Sequence, residues 1–259
     1  MYLHNMNPTV KALTIVGLVI FLALLFDPIT PLLYLLWTLS ITLLLGSFKK
    51  KYYFFYFIPF LIFALGTLWT TLIFADVPHP PNEQLTVFGF NFPKEDVTIA
   101  LSLSLRILAF AALSLLFIFT TNMIDFILSL IQQLKLPPKL AYGILAGYRF
   151  LPMMKSEFQQ IKTAHRIRGM NQASTFKEKL AQYKRFIIPL LAGAIRKAER
   201  TAVAMESKGF TGSRDRTYYR EFKISKADWI FPIVMFSVLG FLVFIAAQFG
   251  YFSWYSGQL

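Results

Sequence analysis

Five stretches of this chain are apolar for long enough to cross a lipid bilayer, at residues 10–26, 29–47, 52–75, 97–120 and 229–248. A hydrocarbon core asks for about 20 such residues, with a range of roughly 17 to 25. No water reaches the backbone there, so every N–H and C=O must be bonded within the protein, which a helix achieves one segment at a time. The expectation is an all-α, polytopic integral membrane protein with about five transmembrane helices. Its charge content agrees: 15% of the 259 residues are charged, against roughly 25% in soluble domains. The first stretch is the shortest, with Lys11 at its inner edge and a stop at Asp27-Pro28. A cleaved leader is the rival reading, but residues 1–8 hold no Lys or Arg and no small-x-small site precedes the next apolar run, so it is read as a span.

The net charge of +13 is not spread evenly. Residues 122–227 hold 20 of the 26 Lys and Arg but only 7 of the 13 acids, so this segment accounts for the whole excess. Cations collect on the cytoplasmic flanks of membrane spans. Lys49, Lys50 and Lys51 therefore place the turn between spans two and three inside, and the loop from Asp76 to Asp96, with four acids against Lys94, outside. That loop, "DVPHPPNEQLTVFGFNFPKED", reads as irregular with room for a short hairpin. With four spans before it, the basic segment falls in the cytoplasm together with the N-terminus, and the chain ends outside. The expected organisation is a four-span membrane domain (1–121), a cytosolic coupling-helix domain (122–227) and a C-terminal transmembrane helix (228–259), in the plasma membrane.

Three helices fit the basic segment. "NMIDFILSLIQQLKL" opens on Asn122 as N-cap and is broken by Pro137-Pro138. A helix over about 138–168 places Leu140, Ile144, Tyr148, Leu151, Met154, Phe158 and Ile161 on one face, with Lys155, Lys162 and Arg166 opposite. Another, over about 175–208, opposes Leu180, Tyr183, Ile187, Leu191 and Ile195 to Lys184, Arg196, Lys197 and Arg200. Each long helix carries an interior proline, Pro152 or Pro189, which removes one backbone hydrogen bond and favours a bend. Basic amphipathic helices of this kind lie in a membrane interface or pack on other helices.

Both helices end alike. "AHRIRGM" (164–170) and "AMESKGF" (204–210) each write Ala-x-x-x-basic-Gly-apolar. Glycine enters the left-handed conformation cheaply, the next apolar residue packs back on the last turn, and a cation complements the helix dipole. Two well-capped helices are thus one sufficient reading. The other is a pair of handles: each end offers a cation on a short rigid stub, with a small alanine four residues back that permits close approach.

"LKLPPKLAYGILAGYRFLPMMKSEFQQIKTAHRIRG", followed by "AMESKGF", resembles the transmembrane T component of energy-coupling factor (ECF) transporters, including the related cobalt and nickel uptake permeases. Members carry two short Ala-Arg-Gly signatures on cytosolic coupling helices, preceded by a segment close to Arg-Phe-Leu-Pro. The resemblance covers residues 122–212 in detail. It implies that Ala164, Arg168 and Gly169 form one ATPase-docking tip and Ala204, Lys208 and Gly209 the other, each seated in a groove of a cytosolic ABC ATPase subunit. It further implies a separate substrate-binding membrane subunit (S component), with a vitamin or metal ion as cargo. Lys208 departs from the family's arginine: it keeps the charge and loses the planar fork that grips a carboxylate bidentately. Arg149 matches the upstream segment, with a structural role.

Little else in the chain carries chemistry. Arg106, inside the fourth span, costs about 2.5–3.5 kcal/mol on insertion scales and so should face protein or water as a structural residue. Asp27 reads as an interfacial cap. His4, His79 and His165 lack companions at metal-ligand spacing, and His165 reads as solvated. With no phosphate-binding G-x-x-x-x-G-K-[ST], no H-E-x-x-H and no cysteine, the chain is expected to be non-catalytic, with no cofactor or metal and with ATP hydrolysed on partner chains. Nucleic acid is a poorer match to the basic segment than anionic membrane lipids. The alternative class is a membrane-anchored interaction protein or lipid-modifying enzyme whose basic helices bind such lipids.

Overall fold

The computed structural model describes residues 2–46, 48–74, 84–87, 90–169 and 176–248. Asp76, His79, Glu83 and Met170 lie outside the described residues. In chain order the elements are α1 (Tyr2–Asn5), α2 (Pro8–Ala23), α3 (Ile29–Leu45), α4 (Lys50–Ile73), β1 (Gln84–Val87), β2 (Phe90–Pro93), α5 (Lys94–Thr120), α6 (Met123–Gln133), α7 (Pro138–Ile167), α8 (Phe176–Ser207) and α9 (Ile230–Gln248). A 3-10 turn at Lys226–Trp229 leads into α9. Among the described residues the fold is all-α apart from one antiparallel hairpin in which Leu85 pairs with Phe92 and Val87 with Phe90.

Two compact units divide the chain. One comprises Met1–Ser129 with Phe222–Leu259, the other Leu130–Glu221. In the first, three helices among the described residues are long and apolar enough to cross a membrane: Lys50–Ile73, Asp96–Thr120 and Lys226–Gln248. The helices at the first two expected spans, α2 and α3, are 16 and 17 residues long. At 1.5 Å per residue α2 reaches about 24 Å, short of the roughly 30 Å hydrocarbon core. Its early stop has a cause: the Arg106 guanidinium donates to the carbonyls of Ala23 (3.3 Å) and Leu25 and lies 4.5 Å from the Phe26 ring centre. Arginine in the fourth span thus completes the C-terminal end of the first. Asp27 then takes the Thr30 N–H at 2.7 Å and starts α3.

Packing in this unit inverts the pattern of a soluble protein. Large apolar side chains such as Phe55, Ile62, Phe63 and Phe244 are exposed, while Thr14, Thr30, Thr38, Thr42 and Ser104 are buried. Most of these hydroxyls donate to a carbonyl of their own helix, as Thr42 does to Thr38 (2.6 Å) and Ser104 to Ala100 (2.7 Å), which removes the cost of burying them. α5 lies against α2, α3 and α4, and its Ala100, Ala109 and Ala112 are fully buried at these approaches. Small residues let helix backbones come close without a water-driven force between them. Leu18, Leu22, Tyr34, Leu113, Leu116 and Met235 fill the centre.

A buried polar collar closes one end of this bundle. Asn7 caps α2 through the Thr9 N–H (3.1 Å), and its own N–H donates to Asp228 at 2.8 Å. Asp228 also accepts the Ser225 N–H at 2.8 Å, and the Thr9 hydroxyl donates to Ser129 at 2.7 Å. Lys11, only 1% exposed, donates to the carbonyls of Leu3 and Thr120 and to the hydroxyls of Thr120 and Thr121. Carbonyl dipoles at the end of α5 thus receive a cation that would otherwise be costly to bury. Ser129 and Asp228 stand just before the chain leaves this unit and just after it returns, and both are tied to the first turn of α2.

Candidate functional site

In the second unit α7 and α8 run antiparallel. Phe158 and His165 on α7 meet Phe186 on α8, with ring centres 5.9 and 5.2 Å apart. Further along, Glu157 pairs with Lys197, and Tyr142 near the start of α7 meets Phe210, just beyond α8, at 5.3 Å. His165, read from sequence as solvated, is instead half-buried against a ring: one face of its imidazole is apolar enough to pack where its Arg166 neighbour cannot. Both helices continue through Pro152 and Pro189, which are exposed, as is Arg149.

Each helix closes on a left-handed glycine. Gly169 has φ +73° and Gly209 has φ +81°. At the second end the Phe210 N–H donates to the Met205 carbonyl and the Gly209 N–H to that of Glu206, both at 2.9 Å. This pair of bonds satisfies carbonyls that the last helical turn leaves open, in the Schellman pattern. At the first end the Gly169 N–H makes the matching bond to Arg166 at 3.1 Å. A Cβ on either glycine would meet nothing within 4 Å, so backbone conformation and not space requires glycine there. Ala164, Arg168, Ala204 and Lys208 are all exposed.

The two ends are not brought together. With α7 30 residues long, an antiparallel partner sets them on the order of 40 Å apart along the pair. Arg106 belongs to the other unit. Between the ends, the apolar stripes read from the sequence are largely bare: Leu140, Ile144, Tyr148 and Leu151 on α7, and Leu180, Tyr183, Ile187, Leu191 and Ile195 on α8, are all exposed. A groove of about 470 Å³, with Gly143 and Gly147 of α7 facing Ala198 and Ala202 of α8, lies along the pair.

Residues 1–219 match the sequence profile of the cobalt transport protein family CbiQ. The chain belongs to that family. Among its curated relatives, the energy-coupling factor transporter transmembrane protein EcfT of Lactococcus lactis is 28% identical, covering 92% of this chain and 91% of its own length. The EcfT protein of Macrococcus caseolyticus is 31% identical over 66% of this chain and 67% of its own, and that of Thermotoga maritima 27% over 93% and 89%. Membership in the CbiQ family makes the chain a transmembrane T component of the ECF transporter class: a membrane-embedded transport subunit, not an enzyme.

Sequence reasoning passed over Arg216 in this unit and Asp228 in the other. Arg216 lies over three rings, 4.8 Å from Tyr142, 5.2 Å from Phe210 and 5.8 Å from Tyr218; Phe210 and Tyr218 are near it in the sequence, but Tyr142 belongs to α7 and no local pattern joins it to Arg216. Asp228 of the collar was legible, since Ser225-x-x-Asp228 before an apolar run has capping-box spacing and forms one.

Proposed function

We propose that this T component couples ATP hydrolysis to import of a vitamin or metal ion, with two cytosolic ABC ATPase subunits docking on the two glycine-closed helix ends. One tip is Ala164, Arg168 and Gly169; the other is Ala204, Lys208 and Gly209. One observation carries the reading: two helix ends of the same construction, each with an exposed cation next to a rigid left-handed turn, stand at opposite ends of one antiparallel pair. A single groove would need them adjacent, whereas two separate ATPase subunits need them apart. An arginine fork suits a carboxylate in such a groove, and Lys208 supplies a point charge instead.

In this reading the N-terminus and residues 122–227 face the cytoplasm, where the ATPases are. Closure of the ATPases on ATP displaces the two tips relative to each other. The bare apolar stripes of α7 and α8 carry that movement to a separate substrate-binding membrane subunit, which covers them and chooses the cargo. About nine large apolar side chains left in contact with solvent favour such a cover, because monomeric proteins seldom expose contiguous apolar surface on this scale.

Co-purification from membranes tests it. The unaltered chain should bring down two ABC ATPases, or one as a homodimer. Arg168→Glu should abolish this while the chain still inserts, and Lys208→Arg should preserve it. Absence of any ATPase, together with recruitment of the 122–227 segment by anionic liposomes, would replace this reading with that of a lipid-binding membrane protein.

A further inference from the structure

We propose that Arg216 is a positioning residue for the second docking tip, holding Lys208 and Gly209 in place by clamping Phe210 onto α7. The inference rests on the docking role proposed above for Lys208, and adds a residue outside both repeated motifs.

The geometry begins at Gly209. Its left-handed turn directs the chain back, and the Phe210 N–H closes onto Met205, so the position of Phe210 and that of the tip are one variable. The Phe210 ring then stands edge-on to Tyr142, with 68° between the planes. Gly212, at φ +71°, reverses the chain a second time. That second reversal returns Arg216 over the pair, its guanidinium within 6 Å of the Tyr142, Phe210 and Tyr218 ring centres. A cation at this distance is attracted to each ring face, and a planar guanidinium can lie against more than one.

Neighbouring bonds hold the returning segment to the same corner of the unit. Arg214 donates to the Lys135 carbonyl at 3.2 Å, and Gln132 to the Arg220 carbonyl at 2.8 Å. Lys135 itself has φ +55°, a conformation that turns α6 into α7 and presents its carbonyl. The tip is therefore braced from both sides: by the helix that precedes it and by a strap that passes beyond it and folds back. Force applied at Lys208 reaches α7 through Phe210 and Tyr142, not through α8 alone.

The test uses the full-length chain. Because it contains no cysteine, Ser207→Cys alone places a nitroxide spin label on the last turn of α8, and Ser156→Cys places a control on α7. Arg216→Gln should increase the mobility of the label at 207 and leave that at 156 unchanged. It should also weaken binding of the ABC ATPase subunits that co-purify with the unaltered chain about fivefold, the size of one exposed cation–π contact. Arg216→Lys, which keeps the charge and loses the planar face, should fall between the unaltered chain and Arg216→Gln; Tyr142→Phe should be silent and Tyr142→Leu should reproduce Arg216→Gln. The proposal is overturned if Arg216→Gln leaves the label at 207 unmoved, or if it loosens 207 and 156 alike, which is general unfolding. Failure of the docking reading has a separate signature: Lys208→Glu would leave ATPase binding intact, and the mobility at 207 would still decide the brace.

Discussion

The same substitution, glycine to alanine, should act with opposite sign at Gly209 and Gly147. Neither site lacks room, since an added Cβ meets nothing within 4 Å at either. What differs is the backbone. Gly209 sits at φ +81°, where an L side chain costs roughly 1–2 kcal/mol, and the stiffer unfolded chain returns about 0.4–1 of that. The net is on the order of 1 kcal/mol of lost closure, or about fivefold in local opening. Gly147 lies inside α7, where alanine gains roughly 0.5–1 kcal/mol over glycine. Hydrogen–deuterium exchange on the intact protein reads both. In Gly209→Ala, amides of the last turn of α8 should exchange about fivefold faster, because the Gly209 and Phe210 N–H groups lose their hold on Glu206 and Met205. In Gly147→Ala, α7 amides should exchange more slowly. If both substitutions change protection in the same direction, the left-handed turn is not what holds the tip, and the reasoning fails.

Asp228→Ala removes the acceptor of the buried Asn7 N–H and of the part-buried Ser225 N–H, a bond to a charged group being worth about 1.5–3 kcal/mol when buried and less when exposed. A loss of about 2–3 kcal/mol should appear as a clearly lower melting temperature in detergent, with Asp228→Asn losing less; an unchanged melting temperature would show that the collar is not structural. At His4, partial burial and then the charge of Lys11 lower the pKa below its usual 6.5. The unfolded chain therefore takes up the proton first, so stability should be level above pH 6.5 and fall as the pH drops below it. Thermal melts from pH 7.5 to 5 should show this slope, and His4→Gln should flatten it.

The membrane helices and the ends of α7 and α8 were legible because each depends on information within one turn or one segment. Hydropathy marks α4, α5 and α9; Pro137-Pro138 and the two glycines mark where α7 begins and the long helices end; and Asn122 announces α6 by accepting the Ile124 N–H at 2.9 Å. What pairs with what across the fold was not legible. Lys11 reads as a cation at the inner edge of the first span, yet it is satisfied in part by the Thr120 carbonyl, 109 residues away, whose orientation follows from how α2 and α5 pack. Arg216 reads as one more cation in a basic loop until Gly212 returns it to Tyr142. The candidate site was thus readable as two helix ends, but their separation by the length of the pair was not, since the amphipathic pattern is the same whether neighbouring helices run parallel or antiparallel.

The collar at the start of α2 bears on how the chain can be respliced. Ser129 and Asp228 bracket the 130–221 unit, and they are fastened to Thr9 and Asn7 respectively, two residues apart. A bundle whose exit and re-entry points share one anchor can accept a longer, shorter or foreign insert without rethreading its own helices. Such an arrangement lets the 130–221 unit be exchanged while the bundle keeps its own packing, and chimaeras spliced at these two positions should therefore be tolerated best.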